Sequence, residues 1–126
     1  MSEKLIHLSR TPVLFADGTP GEDPLELLGA AFGHEATWIA ATHRRLGSDF
    51  FELRTGVAGE LTQKCVQYHL GLAVVGDVTP HTDDSEAVRS WVHEANRGRR
   101  LWFVADLDEL EERLEALRQR GRASVR

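Results

Sequence analysis

Residues 70–75 (LGLAVV) carry almost no polar side chain. A strand with one wet face alternates polar and apolar residues, whereas one that is apolar throughout is covered on both faces, as in a parallel sheet flanked by helices. The run closes on Gly76 and Asp77, which places an acid at the strand's end. Before it, Val57, Leu61, Cys65 and Tyr68 fall at i, i+4, i+8 and i+11, a single helical stripe. Gly56 and Gly59 stand at the start of that helix. Both are poor helix formers, and their presence predicts close backbone approach to the sheet or to a ligand.

The remaining elements follow the same logic. Residues 4–9 alternate weakly and residues 13–15 form a second apolar run, so a hairpin turning at residues 10–12 is expected. Residues 17–21 are turn chemistry, and Asp23 can cap a helix whose first position is Pro24. Leu25, Leu28 and Phe32, beside Leu27 and Ala31, form its apolar face, and Gly33 offers a left-handed stop. Residues 37–41 (TWIAA) read as a buried strand, and residues 42–48 as a polar segment ending in a turn. Residues 79–84 read as a loop, and Asp83 with Glu86 as a capping box for a helix burying Ala87, Val88, Trp91, Val92 and Ala95 and stopping at Gly98. Residues 101–104 (LWFV) are another buried strand, after which Asp106 and Glu109 cap a helix carrying Leu107, Leu110, Leu114 and Leu117.

That leucine row spans about two heptads, short of the three or four that sustain a coiled coil, so docking on the sheet is expected, with a homodimer contact as the alternative. The predicted order is β-β-α-β-α-β-α-β-α. It describes one α/β domain with a four- to five-stranded mixed sheet and about four helices. Residues 119–126 are expected to form a flexible basic tail.

A chain of 126 residues suits a single domain, and 41% hydrophobic with 28% charged residues is ordinary for a globular protein. The net charge of -5 argues against general nucleic-acid binding, which needs a basic field. Arginines do gather locally, at Arg97, Arg99 and Arg100 and again at Arg118, Arg120, Arg122 and Arg126. A lone Cys65 forbids an internal disulfide and fits a reducing compartment. The first ten residues hold no apolar core of signal-peptide length, and no apolar run approaches the ~18 residues of a membrane span. A cytoplasmic location away from membranes is therefore expected.

The run FFELRTGVAGELTQKCVQYHLGLAVVGD, with VHEANRG and LWFVADLDELEERL after it, resembles the domain-of-unknown-function family 4180 over about residues 48–114. The shared positions are Leu53, Arg54, Thr55, Gly56, Ala58, Gly59, Glu60, Gln63, Lys64, Gly76, Asp77, Glu94, Asn96, Arg97 and Gly98. The resemblance implies no activity. His69 stands where the family pattern leads one to expect Arg or Lys, and residues 79–84 are more acidic and contain a proline. The element order is also similar to the STAS domains of anti-sigma factor antagonists and sulfate-transporter tails. In those domains a short polar triplet ending in glycine opens the second helix, and its Ser or Thr can be phosphorylated to switch partner binding. The corresponding triplet here is Arg54-Thr55-Gly56. The resemblance implies a non-enzymatic regulatory or interaction module with a protein partner, whose identity the sequence leaves open.

The candidate site gathers at one rim of the sheet. Thr55 can cap its helix, and the same helix start can hold a phosphate or other anion with Arg54 as charge partner. Asp77, Ser48 and His81 are expected to face the same crevice, because open α/β sheets take ligands beyond the carboxyl ends of their strands. The alternative is a small-ligand or anion-binding protein, or an enzyme using Asp77 or His81 as general base. Glu60, Gln63, Lys64, Glu94, Asn96, Arg97 and Gly98 read as structural, the last four on the opposite rim. No HExxH, GxSxG or P-loop pattern occurs, and neither a metal nor a cofactor is expected.

Overall fold

A two-residue turn, with Ser9 and Arg10 both at positive φ (51° and 66°), joins β1 (Glu3–Leu8) to β2 (Thr11–Ala16). Positive φ at both turn positions matches the natural twist of paired strands, so the hairpin closes tightly, one residue earlier than the sequence suggests. The computed structural model describes residues 3–18 and 23–124, with side chains as far as residue 120. Beyond the hairpin, β3 (Trp38–Thr42), β4 (Gly71–Val75) and β5 (Leu101–Val104) add in parallel, giving the sheet order β1-β2-β3-β4-β5.

Each parallel step moves to the next strand in the same direction. Right-handed crossovers therefore place α1 (Glu26–Gly33), α4 (Val57–Gln67) and α6 (Glu86–Asn96) on one face. There Leu14, Ile39, Leu72, Val74 and Phe103 of the sheet meet Leu27, Leu61 and Val88 of these helices. On the other face α7 (Leu107–Ser124) lays Leu110 and Leu114 onto Val13, Trp38, Ala40, Ala73, Trp102 and Val104. All five residues of β4 are buried, as an apolar run covered from both sides requires. The leucine row is thus docked on the sheet, each fully buried leucine contributing about 1.5–3 kcal/mol.

Among the described residues the connections hold more helix than expected, seven α-helices rather than about four. Residues 42–48 do not run as an open polar segment. Thr42 accepts the Arg45 N–H at 3.2 Å and starts α2 (His43–Leu46), and α3 (Ser48–Phe51) follows, burying Phe50 and Phe51. Residues 79–84 are not a loop either. The Asp77 carboxylate accepts the Thr79 N–H at 2.9 Å, Pro80 sits in the first turn, and α5 (Thr79–Asp83) results. The cap of α6 is Ser85, which accepts the Val88 N–H at 3.2 Å, and not Asp83.

After α1 the left-handed residue is Glu35 (φ 57°) and not Gly33, because the Ala36 N–H must reach back to the Ala31 carbonyl. Tyr68 leaves the buried stripe of α4 and lies edge-on against Phe32, Ala58 taking its place in the core. The box at α7 is as expected: Asp106 accepts the Glu109 N–H, while Glu109 reaches back to the Ala105 N–H. Helix α7 continues through Ser124, so residues 119–124 of the expected tail are helical, and residues 125–126 lie outside the described residues. Part of the turn expected at residues 17–21 lies outside them too.

Candidate functional site

The carboxyl ends of β2, β3 and β4 bring five polar or aromatic groups to one rim. After β2, the Asp17 carboxylate accepts the Thr42 hydroxyl and the Gly18 N–H, both at 2.8 Å. These bonds, the hydroxyl first, hold its pKa below the ordinary carboxylate value. After β3, His43 opens α2 with its ring against the end of β4, so close that a Cβ on Gly76 would lie 2.4 Å from it. After β4, Asp77 is held low in pKa chiefly by Thr79, with a smaller contribution from His43.

His81 of α5 stacks face to face on Phe51 of α3, centroids 3.9 Å apart and planes within 6°, and its ring lies 6.3 Å from that of His43. Burial first, and then repulsion from His43, lowers the His81 pKa, so its imidazole is neutral at neutral pH. The rim lies beyond the carboxyl ends of the parallel strands, the side on which open α/β sheets take up ligands.

Thr55 ends a 3₁₀ turn (Leu53–Thr55) just before α4, and Gly56 (φ 80°) makes the left-handed step between them. The exposed Thr55 hydroxyl lies 2.8 Å from the carbonyls of both Asp49 and Glu52, which share its single proton, and it accepts the Val57 N–H at 3.3 Å. It accepts the first N–H of α4, whose N-cap is Gly56, and closes the turn that contains Phe51. Arg54 points to solvent, 3.8 Å from Glu52, a pair too exposed to contribute much. Ser48 is exposed at the start of α3.

At Gly59 no protein atom lies within 4 Å of where a Cβ would stand, so the close approach to the sheet expected there is absent. Gly59→Ala should therefore raise stability by about 0.5–1 kcal/mol in a denaturant titration, through helix propensity alone. A loss of stability would reveal a contact at this face of α4.

The motif on the far edge is structural in large part. The Asn96 side chain accepts the Phe103 N–H at 2.7 Å and the Gly98 carbonyl accepts the Trp102 indole N–H at 2.8 Å, tying the end of α6 to β5. Arg97 is exposed, as are Glu94, Glu60 and Gln63, while Lys64 is half-buried. Cys65 is buried, which pushes its thiol up to about 11 and leaves it inert. Among the described residues no three His, Cys, Asp or Glu side chains are placed to share a metal ion, and no helix is long and apolar enough to cross a membrane.

Asp17, His43 and Phe51 were not marked as site residues by the sequence. Their meeting depends on strand order, and only the glycine after β4 hints at it. Residues 6–114 match the family described as Domain of unknown function (DUF4180), and the chain belongs to that family. No curated protein and no solved structure matches the chain.

Proposed function

We propose that this DUF4180 chain is a non-enzymatic regulatory module of STAS-like type, whose partner surface is the rim formed by Ser48, Arg54, Thr55, Gly56, Gly59, Asp77 and His81, switched by phosphorylation or anion binding at Thr55. The observation that carries this reading is the Thr55 hydroxyl, its one proton shared between the Asp49 and Glu52 carbonyls, across a turn whose Phe51 stacks on His81.

A phosphate ester at Thr55 has no proton to donate. Two carbonyls that now accept would instead face phosphate oxygens, and the turn would open. The phosphate would keep the Val57 N–H and gain the positive end of α4, with Arg54 free to leave Glu52 for it. Opening the turn moves Phe51, and with it the His81 ring on the far side of the rim. A charge placed at one exposed residue is thereby converted into a change of surface shape.

The test compares Thr55→Ser, Thr55→Ala and Thr55→Asp. Thr55→Ser keeps the donor and should retain partners and stability. Thr55→Ala loses the hydroxyl's hydrogen bonds and about 1 kcal/mol. Thr55→Asp should also shift the ring resonances of Phe51 and His81 and change what is captured from native lysate. If all three capture the same partners with the same affinity, the switch is refuted.

A second reading has its own observation in the His81 ring, 6.3 Å from that of His43 and lowered in pKa by burial. A small ligand at that rim would meet a ready proton acceptor, and the chain would then be a binding protein or an enzyme with His81 or Asp77 as base. A thermal shift with a metabolite, lost in His81→Asn, would favour it over the switch.

A further inference from the structure

Five of the chain's 15 Lys and Arg residues converge on the edge opposite the rim, where β3, β4 and β5 begin and the second half of α7 passes over them. Two cavities adjoin there, of about 120 Å³ and 300 Å³, with Arg99 and Leu117 in the walls of both. Arg97, Arg113 and Arg120 line the first and Arg100 the second, and among the described residues no carboxylate lines either. Solubilising charge on a surface is ordinarily of mixed sign. In a chain of net charge -5, a concave group of five arginines with one neighbouring carboxylate, Glu109, departs from that pattern.

The cluster is also built. Arg113 donates to the Asn96 carbonyl at 3.1 Å, pairs with Glu109 at 3.7 Å, and lies 5.4 Å from the centre of the Trp102 ring. Its guanidinium is fixed before any ligand arrives. Trp102 is in turn held by its indole bond to Gly98 and by stacking on Trp38 at 4.6 Å. Asn96 and Gly98 are accounted for by these bonds. Arg97, between them, is exposed and has no salt-bridge partner among the described residues. The smaller cavity has the volume of about four water molecules, at ~30 Å³ each, enough for a phosphoryl group, and the larger one has room for what the group is attached to.

We propose that these cavities form an anion site for a small phosphomonoester, its phosphoryl group held by Arg97, Arg99 and Arg113 and the rest of the molecule lying toward Arg100 and Thr37. Arginine suits this because its planar fork engages two phosphate oxygens at once, and because it stays charged at every physiological pH. The site is independent of Thr55, which lies at the other end of the strands.

The test is an NMR titration of the ¹⁵N-labelled chain with phosphoserine and with inorganic phosphate at constant ionic strength, with serine as the uncharged-side-chain control. Phosphoserine should produce saturable shifts of the Trp102 indole N–H, and serine none. Arg97→Gln with Arg99→Gln should weaken phosphoserine by about tenfold or more, the loss of charge-assisted bonds, while the melting temperature stays at the wild-type value. Inorganic phosphate binding as tightly as phosphoserine would confine the site to the phosphoryl group and overturn the role of the larger cavity. No saturable shift, or equal affinity in the double variant, would overturn the proposal. So would shifts seen with a single-stranded oligonucleotide and not with phosphoserine, which would make this edge a nucleic-acid surface.

Discussion

Gly71→Ala should destabilise the protein by about 3 kcal/mol, the upper end of ordinary overpacking, and lower its melting temperature by roughly 10 °C. A Cβ at this position would stand 2.2–2.5 Å from three atoms of the Trp38 ring, well inside van der Waals contact. The ring is held by its partner indole and has room only on the side of the larger cavity, which Trp38 and Gly71 help to line. Trp38 is 7% exposed and stacked on Trp102, which is 3% exposed and bonded to Gly98. Relief comes from β3 and β4 separating at paired positions Trp38 and Gly71, or from the Trp38 ring tilting into the cavity and parting from Trp102.

The clash can be separated from the loss of the ring. Trp38→Leu costs several kcal/mol by itself because it empties the face under α7. In that background Gly71→Ala should add only a few tenths, leaving a coupling of about 2.5–3 kcal/mol in the double-mutant cycle. Near-ultraviolet circular dichroism reports the indole pair directly and should lose its signal in Gly71→Ala. Wild-type stability for Gly71→Ala would mean that Trp38 does not pack over the first residue of β4.

What the sequence conveyed and what it withheld divide along physical lines. Residues 70–75 and 101–104 announce buried strands because a parallel sheet covered on both sides needs apolar side chains at successive positions, as β4 shows. Asp106 and Glu109 announce α7 because capping depends on residues a fixed distance apart. The short helices α2, α3 and α5 have four or five residues each, too few for any period to show. They form because Thr42 caps α2, because the Asp77 carboxylate holds the Thr79 N–H ahead of α5, and because Phe50 and Phe51 must be buried.

Arg45 lies inside a segment that reads as polar surface, yet its side chain is fully buried and approaches Glu3 of β1 at 3.9 Å. The sequence placed Thr55 and Asp77 on a common rim by the order of elements alone. It could not show that Thr55 closes a turn around Phe51, nor that Phe51 meets His81, since both contacts depend on where α3 and α5 come to rest.

Gly76→Ala carries a penalty from two sources, about 3–5 kcal/mol together. Gly76 has φ 119°, a conformation that residues with a side chain rarely adopt, and the added methyl would meet His43 at 2.4 Å. The strain belongs to the backbone, which must turn sharply here while the Gly76 N–H still bonds the Val104 carbonyl at 2.9 Å. The clash belongs to His43 alone and ends when its ring is removed. Gly76→Ala combined with His43→Ala should therefore recover the steric part, about 1–3 kcal/mol, and leave the strain. His43→Ala alone should cost less, because the ring is only half-buried. It should also raise the His81 pKa by removing a neighbouring positive charge, measurable from the His81 ring protons across pH 5–8. If the double variant is as unstable as Gly76→Ala, His43 does not stand over the end of β4. The rim would then lack the group that connects Asp17, Asp77 and His81.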